Sequence, residues 1–144
     1  MPTKDFEQVI QFFEAQTPNG HSIWLPLVQV TLITPAGRRV SLSLLFDTGA
    51  SVTTLRKELY YLLGLQSWDQ GQRVEIATAG GVATAYSYPA TLEFLGKTIE
   101  CPIHLAELPP NPLFNGLFGR EAVFNEFGFG FWESVHELYI TTNP

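Results

Sequence analysis

The chain has 144 residues, 45% of them hydrophobic and 15% charged, which suits one domain with a real core and excludes both a disordered polymer and two large lobes. A formal net charge of -6 argues against broad attraction to nucleic acid or to anionic membranes, so neither is expected as a partner. The single cysteine, Cys101, excludes an intrachain disulfide and fits a reducing compartment.

Met1-Pro2-Thr3-Lys4-Asp5 lacks the basic stretch and apolar run of a secretory signal, and no segment reaches the length of a membrane span. A cytoplasmic protein is expected. Glu100 and Pro102 offer Cys101 neither a base nor a second thiol, so it reads as a small buried side chain. The 11 Phe, 5 Tyr and 3 Trp exceed what a small core usually needs; core packing is their ordinary use, a groove or oligomer interface the other.

In chain order, Phe6, Val9, Ile10 and Phe13 fall at helical spacing, with Thr3 or Asp5 as N-cap, and predict an amphipathic helix over Asp5 to Ala15. Thr17-Pro18-Asn19-Gly20 breaks it, so residues 1-20 are expected to form an N-terminal helical extension and residues 21-144 the main domain. From Ile23 the pattern turns to β: strands up to Ile33, a turn at Pro35-Ala36-Gly37-Arg38, and a strand from Val40 that runs into Asp47. Val52 to Leu55 reads as a strand, and Arg56 to Leu63 as a short helix stopped by Gly64.

Two β runs, Arg73 to Ala77 and Ala83 to Phe94, flank the small tip Thr78-Ala79-Gly80-Gly81. Thr98 to Leu105 follows a turn at Leu95-Gly96-Lys97, and Leu108-Pro109-Pro110-Asn111-Pro112 forms a stiff loop. A short helix is expected from Glu121 to Asn125, then strands near Phe127 to Phe131 and Glu137 to Thr141. The prediction is therefore an all-β domain with short helical additions.

Asp47 ends the apolar run Leu42-Ser43-Leu44-Leu45-Phe46 and precedes Thr48-Gly49-Ala50-Ser51. A carboxylate there is costly unless something uses or satisfies it, and Gly49 lets the backbone approach a partner closely. Read alone, Asp47-Thr48-Gly49 is equally an Asx-turn capping its own loop. Gly80-Gly81 read alone is an ordinary hairpin turn. His21, His104 and His136 lack metal-ligand spacing, no Gly-x-Ser-x-Gly elbow occurs, and Gly128-Phe129-Gly130-Phe131 is no phosphate loop. Neither a metal nor a cofactor is indicated.

Three stretches in order, Leu44-Leu45-Phe46-Asp47-Thr48-Gly49-Ala50-Ser51, Ala79-Gly80-Gly81 and Leu117-Phe118-Gly119-Arg120, make the chain resemble the retropepsin-like, single-lobe aspartic peptidases over roughly residues 24 to 141. The resemblance implies a closed acid-protease barrel with a glycine-rich hairpin flap and one short C-terminal helix, to which the N-terminal helix would be an addition. It implies that the Leu117-Phe118-Gly119 segment passes under the Asp47 loop, and that one Asp-Thr-Gly per chain requires a homodimer. Asp47, Thr48 and Gly49 would be catalytic, with Thr48 bonding across the two-fold axis. Ala50, Ser51, Ala79, Gly80 and Gly81 would meet a polypeptide substrate.

Where retroviral members carry a second acid that pairs with the later arginine, this chain has Ser51, which leaves Arg120 to bond backbone carbonyls or to pair with Glu121 or Glu126. Whether Leu138 to Thr141 joins the family's shared dimer sheet is open. The function implied is an aspartic endopeptidase; the alternative is an inactive relative that binds peptides or dimerises through the same fold.

Overall fold

The computed structural model describes residues 6–78 and 80–142. Its centre is a sheet in which the strands lie in the order β4 (Leu27–Ile33), β5 (Arg39–Phe46), β10 (Gly116–Phe118), β6 (Thr53–Arg56), β9 (Lys97–Ala106), β8 (Gly81–Phe94) and β7 (Gln72–Thr78), with β4 also paired to β8. A second sheet orders β1 (Gln8–Gln11), β12 (Glu137–Thr142) and β11 (Phe127–Trp132), and β2 (Phe13–Gln16) pairs with β3 (Ser22–Leu25).

Alternation writes the core directly. Val28, Val30 and Leu32 of β4 and Leu42, Leu44 and Phe46 of β5 point inward, while Gln29, Ser41 and Ser43 do not. Ile99, Cys101, Ile103 and Leu105 repeat the rule on β9 and meet Leu92 and Phe94 of β8. Each large aliphatic side chain buried this way stabilises the fold by about 2 kcal/mol relative to exposure.

Short helices close the turns the sheet leaves. A 3-10 helix over Lys57–Leu63 ends at Gly64, whose φ of 73° a residue with a side chain adopts only with strain. The C-terminal helix α1 covers Val123–Glu126 and buries Val123. No helix among the described residues is long and apolar enough to cross a membrane.

Over residues 6–15 the N-terminal helix expected from the spacing of Phe6, Val9, Ile10 and Phe13 is not formed, and its expected N-cap, Thr3 or Asp5, lies outside the described residues. Gln8–Gln11 is a strand paired antiparallel with β12, and Phe13–Gln16 a second strand paired with β3. The four apolar residues do not share a face: Val9 and Phe13 are each 48% exposed, whereas Phe12 enters the core at 5%. A row of open backbone groups on β12 competes with the intrahelical bonds of so short a segment, and β-branched Val9 and Ile10 suit a strand.

Candidate active site

The Asp47 loop is built from two strands that meet from distant parts of the sequence. β10 lies between β5, to which it runs parallel, and β6, to which it is antiparallel, with Phe118 level with Phe46 and Leu117 level with both Leu45 and Thr54. So tight a slot demands glycine: a Cβ on Gly116 would stand 2.2 Å from the Thr54 carbonyl oxygen, and one on Gly119 would stand 2.4 Å from the carbonyl carbon of Val52.

At the end of this slot the Asp47 amide donates to the Phe118 carbonyl at 3.2 Å, and Ala50 donates to the Asp47 carbonyl at 3.1 Å. The carboxylate accepts from the Gly49 amide, Oδ1 to nitrogen 2.9 Å. Any Cβ on Gly49 would lie 3.2 Å from that same oxygen, so glycine keeps the approach open. The far side of the loop is tied by main chain alone: Arg120 donates to the Ala50 carbonyl at 3.0 Å and Glu121 to the Ser51 carbonyl at 2.8 Å.

Ser51 stands where an acid would hold an arginine, and these two backbone bonds make the link instead. It is thus the amide of Arg120, not its side chain, that meets a carbonyl. Glu126 pairs with Lys97 at 2.7 Å, and no ion pair among the described residues involves Arg120.

Asp47 is half-buried, as is Ala50, while Thr48, Gly49 and Ser51 are exposed. Beneath it, Phe46 packs against Phe118, Phe124, Phe129 and Phe131, with ring centroids 4.6 to 6.1 Å away. The strand alternation that buries Phe46 turns Leu45 and Asp47 to the opposite face, where Leu117 also lies half-buried.

The glycine-rich tip joins β7 to β8, with Thr78 hydroxyl donating to the Gly81 carbonyl at 2.9 Å. Gly80 and Gly81 are exposed there, next to Val82 at 71% exposure. Ala79 lies outside the described residues. The structure thus brings Asp47, Thr48, Gly49, Ala50 and Ser51 into one loop and sets Gly80 and Gly81 on a separate hairpin.

Several supporting residues carry no motif and escape a reading by pattern. Thr53 Oγ1 accepts the Gly119 amide at 3.0 Å in a buried position. Asn115 exchanges two bonds with Ser43, its amide to the Ser43 carbonyl at 2.7 Å and its Oδ1 from the Ser43 amide at 3.0 Å. Arg56 spends its guanidinium on four main-chain carbonyls. Only the Asn115-Gly116 pair ahead of Leu117 hints at such a constraint.

A cavity of about 180 Å³ beside Arg56 and Leu117 is walled by the proline-rich loop. A larger one, about 490 Å³, lies between the β4–β5 turn and the 3-10 helix and includes no residue of the Asp47 loop. His104 is held below its ordinary pKa by burial, with Glu121 opposing, and Cys101 is pushed up to about 11 by burial and then by Glu121 and Glu100. Among the described residues no three His, Cys, Asp or Glu are grouped to hold a metal ion.

A family profile described as aspartyl protease matches residues 28–122. The fold is similar to that of a retropepsin-like aspartic protease from Rickettsia conorii, with a TM-score of 0.57 and 21% identity over 93% of this chain and 98% of that one. It is also similar to EIAV protease complexed with the inhibitor HBY-793, with a TM-score of 0.53 and 23% identity over 70% of this chain and 86% of that one. No curated protein matches the sequence.

Proposed function

The chain belongs to the aspartyl protease family, and on that premise we propose that it is an aspartic endopeptidase whose catalytic pair is Asp47 from each of two identical copies. The observation that carries the reading is the Asp47 loop itself, which bears a half-buried Asp47 and is anchored through its main chain to Phe118 on one side and to Arg120 and Glu121 on the other.

One carboxylate is half a catalyst for amide hydrolysis without an added electrophile. Two aspartates about 3 Å apart share one proton, because both cannot ionise easily. The ionised member takes a proton from water as the water oxygen attacks the scissile carbonyl, and the protonated member gives its proton to the carbonyl oxygen. Collapse of the tetrahedral diol returns a proton to the pair and delivers one to the leaving nitrogen, so the pair ends as it began and titrates as a unit.

In this reading Thr48, exposed beside Asp47, bonds across the two-fold axis, and the Gly49 carbonyl, Ala50 and Ser51 meet the extended substrate. The hairpin tip of Ala79, Gly80 and Gly81 closes over the peptide and supplies main-chain bonds. Residues 21-144 form the catalytic unit, with residues 1-20 contributing β1 and β2 as an extension. The lone buried Cys101 fits a cytoplasmic setting.

The terminal sheet constrains how a second copy docks. β12 is flanked by β1 and β11 of its own chain, so it offers no open edge. Phe131 of β11 packs against Phe46 with ring centroids 5.3 Å apart, which ties β11 to the residue that precedes Asp47.

Cleavage of unstructured peptides by wild type and Asp47→Asn, read alongside sedimentation over a dilution series, tests the proposal. The variant should lose at least about a thousandfold in rate, and wild-type specific activity should fall as dimers separate. Full activity in a strictly monomeric sample would sink it, and peptides bound but never cleaved would point to a binding module.

A further inference from the structure

We propose that Arg56 is a positioning residue for the substrate wall beside Asp47, holding the proline-rich segment 108–114 in one conformation by its main-chain oxygens. The inference rests on the peptidase reading of Asp47.

The segment cannot order itself. Pro109, Pro110 and Pro112 have no amide proton, so few internal hydrogen bonds are available, and the carbonyls between them need donors from outside. Asn111 supplies one local bond, its Oδ1 accepting the Leu113 amide at 2.8 Å. Arg56 donates to four of the segment's carbonyls. Its Nε donates to the Phe114 carbonyl at 3.2 Å, Nη1 to Leu108 at 3.3 Å and Pro109 at 2.7 Å, and Nη2 to Asn111 at 3.3 Å.

A planar fork with five N–H groups can serve four carbonyls in a fixed arrangement; an ammonium on a flexible stem cannot. The guanidinium carbon also sits 5.9 Å from the centroid of the Phe114 ring, and the Arg56 amide donates to the Asn115 carbonyl at 3.1 Å. The anchor lies where the segment feeds into β10, whose Phe118 carbonyl receives the Asp47 amide.

The fixed segment makes a wall. Leu108, Pro110, Phe114 and Leu117 give the 180 Å³ cavity an apolar side, and Leu117 is level with Leu45 on the face to which Asp47 turns. No ion pair among the described residues neutralises Arg56. A peptide side chain entering there meets an apolar surface beside a fixed positive charge, so Leu is accepted and Lys or Arg repelled.

The test compares wild type, Arg56→Met and Arg56→Lys as full chains, with peptides scanned Leu to Lys at the residues flanking the scissile bond and with amide exchange at Leu113, Phe114 and Asn115. Arg56→Met should raise KM about tenfold, the cost of ordering the wall on binding, with kcat per titrated active site nearly unchanged. It should also speed exchange in the segment and weaken the discrimination against Lys. Arg56→Lys should recover the discrimination but neither the KM nor the slow exchange.

Unchanged KM and exchange in Arg56→Met, or full rescue by Lys, would overturn the proposal while leaving the peptidase reading intact. Wild type that binds peptides without cleaving them would overturn the peptidase reading alone; the effect of Arg56→Met on peptide binding and exchange then decides the wall. Wild type that neither binds nor cleaves overturns both.

Discussion

The hydroxyl of Thr53 accepts the Gly119 amide proton at 3.0 Å across 66 positions of sequence. This bond marks the crossing at which the later Leu117-Phe118-Gly119 segment becomes the floor of the Asp47 loop. β6 lies on one side of that segment and β5 on the other, so a disturbance at Gly119 reaches Asp47 through Phe118.

Replacing Gly119 with alanine should therefore be severe. The added methyl would press on backbone, 2.4 Å from the Val52 carbonyl carbon and 2.7 Å from the Thr53 nitrogen, and backbone between paired strands cannot swing aside as a side-chain tip does. Urea denaturation should show a loss of about 3 kcal/mol, and cleavage should fall with it. Arg120→Ala, next in sequence but bonded through its amide, should stay within about 0.5 kcal/mol of wild type; equal losses in the two variants would refute the steric account.

Thr53→Val keeps the shape and removes the acceptor, which orphans a buried amide. The expected cost is about 2 kcal/mol. Thr53→Ser should recover most of it, and a valine variant as stable as the serine one would show that the bond contributes nothing.

Dimerisation should depend on β11. Among the described residues its outer edge pairs with no strand, and the run Phe127 to Trp132 carries no charge to discourage edge pairing. Phe131 and Trp132 are 42% and 52% exposed. Trp132→Glu should weaken self-association at least about tenfold, as a charge does in an apolar contact. Val9→Glu, on the β1 edge at 48% exposure, should not; sedimentation equilibrium reads both, and the reverse ranking would move the interface to β1.

Cys101 predicts a pH dependence at the alkaline end. Its folded pKa, about 11, exceeds the 9.0 of an unperturbed thiol because burial disfavours the thiolate and Glu121 and Glu100 add to that. The folded state therefore holds its proton where the unfolded state has lost it. That stabilisation is complete below pH 9 and is lost as pH rises to about 11, a change of about 2 kcal/mol. Denaturation midpoints of wild type and Cys101→Ala across that window should converge as pH rises; parallel curves would show that the thiol does not titrate differently on folding.

The N-terminus shows where a local reading fails. Phe6, Val9, Ile10 and Phe13 have helical spacing, yet Gln8–Gln11 is a strand because β12, some 130 residues later, offers an edge to pair with. Spacing reports which residues could share a face, whereas pairing decides which conformation satisfies the backbone. The hairpins of β4 with β5 and of β7 with β8 join strands adjacent in the sequence, and there expectation and structure agree, whereas Ser22–Leu25 pairs with β2 instead.

By itself the sequence determined the Asp47 loop, the β character of the chain and the hairpins that join neighbouring strands, β4 with β5 and β7 with β8. Each depends on alternation, turn chemistry and residues that are neighbours in the chain. The tertiary structure decided the rest: β10 threaded between β5 and β6, the glycines at 116 and 119 that the slot requires, the backbone bonds that stand in for a second acid at Ser51, and the carbonyls gathered by Arg56. These rest on contacts between segments tens of residues apart, whose geometry exists only once the chain has packed.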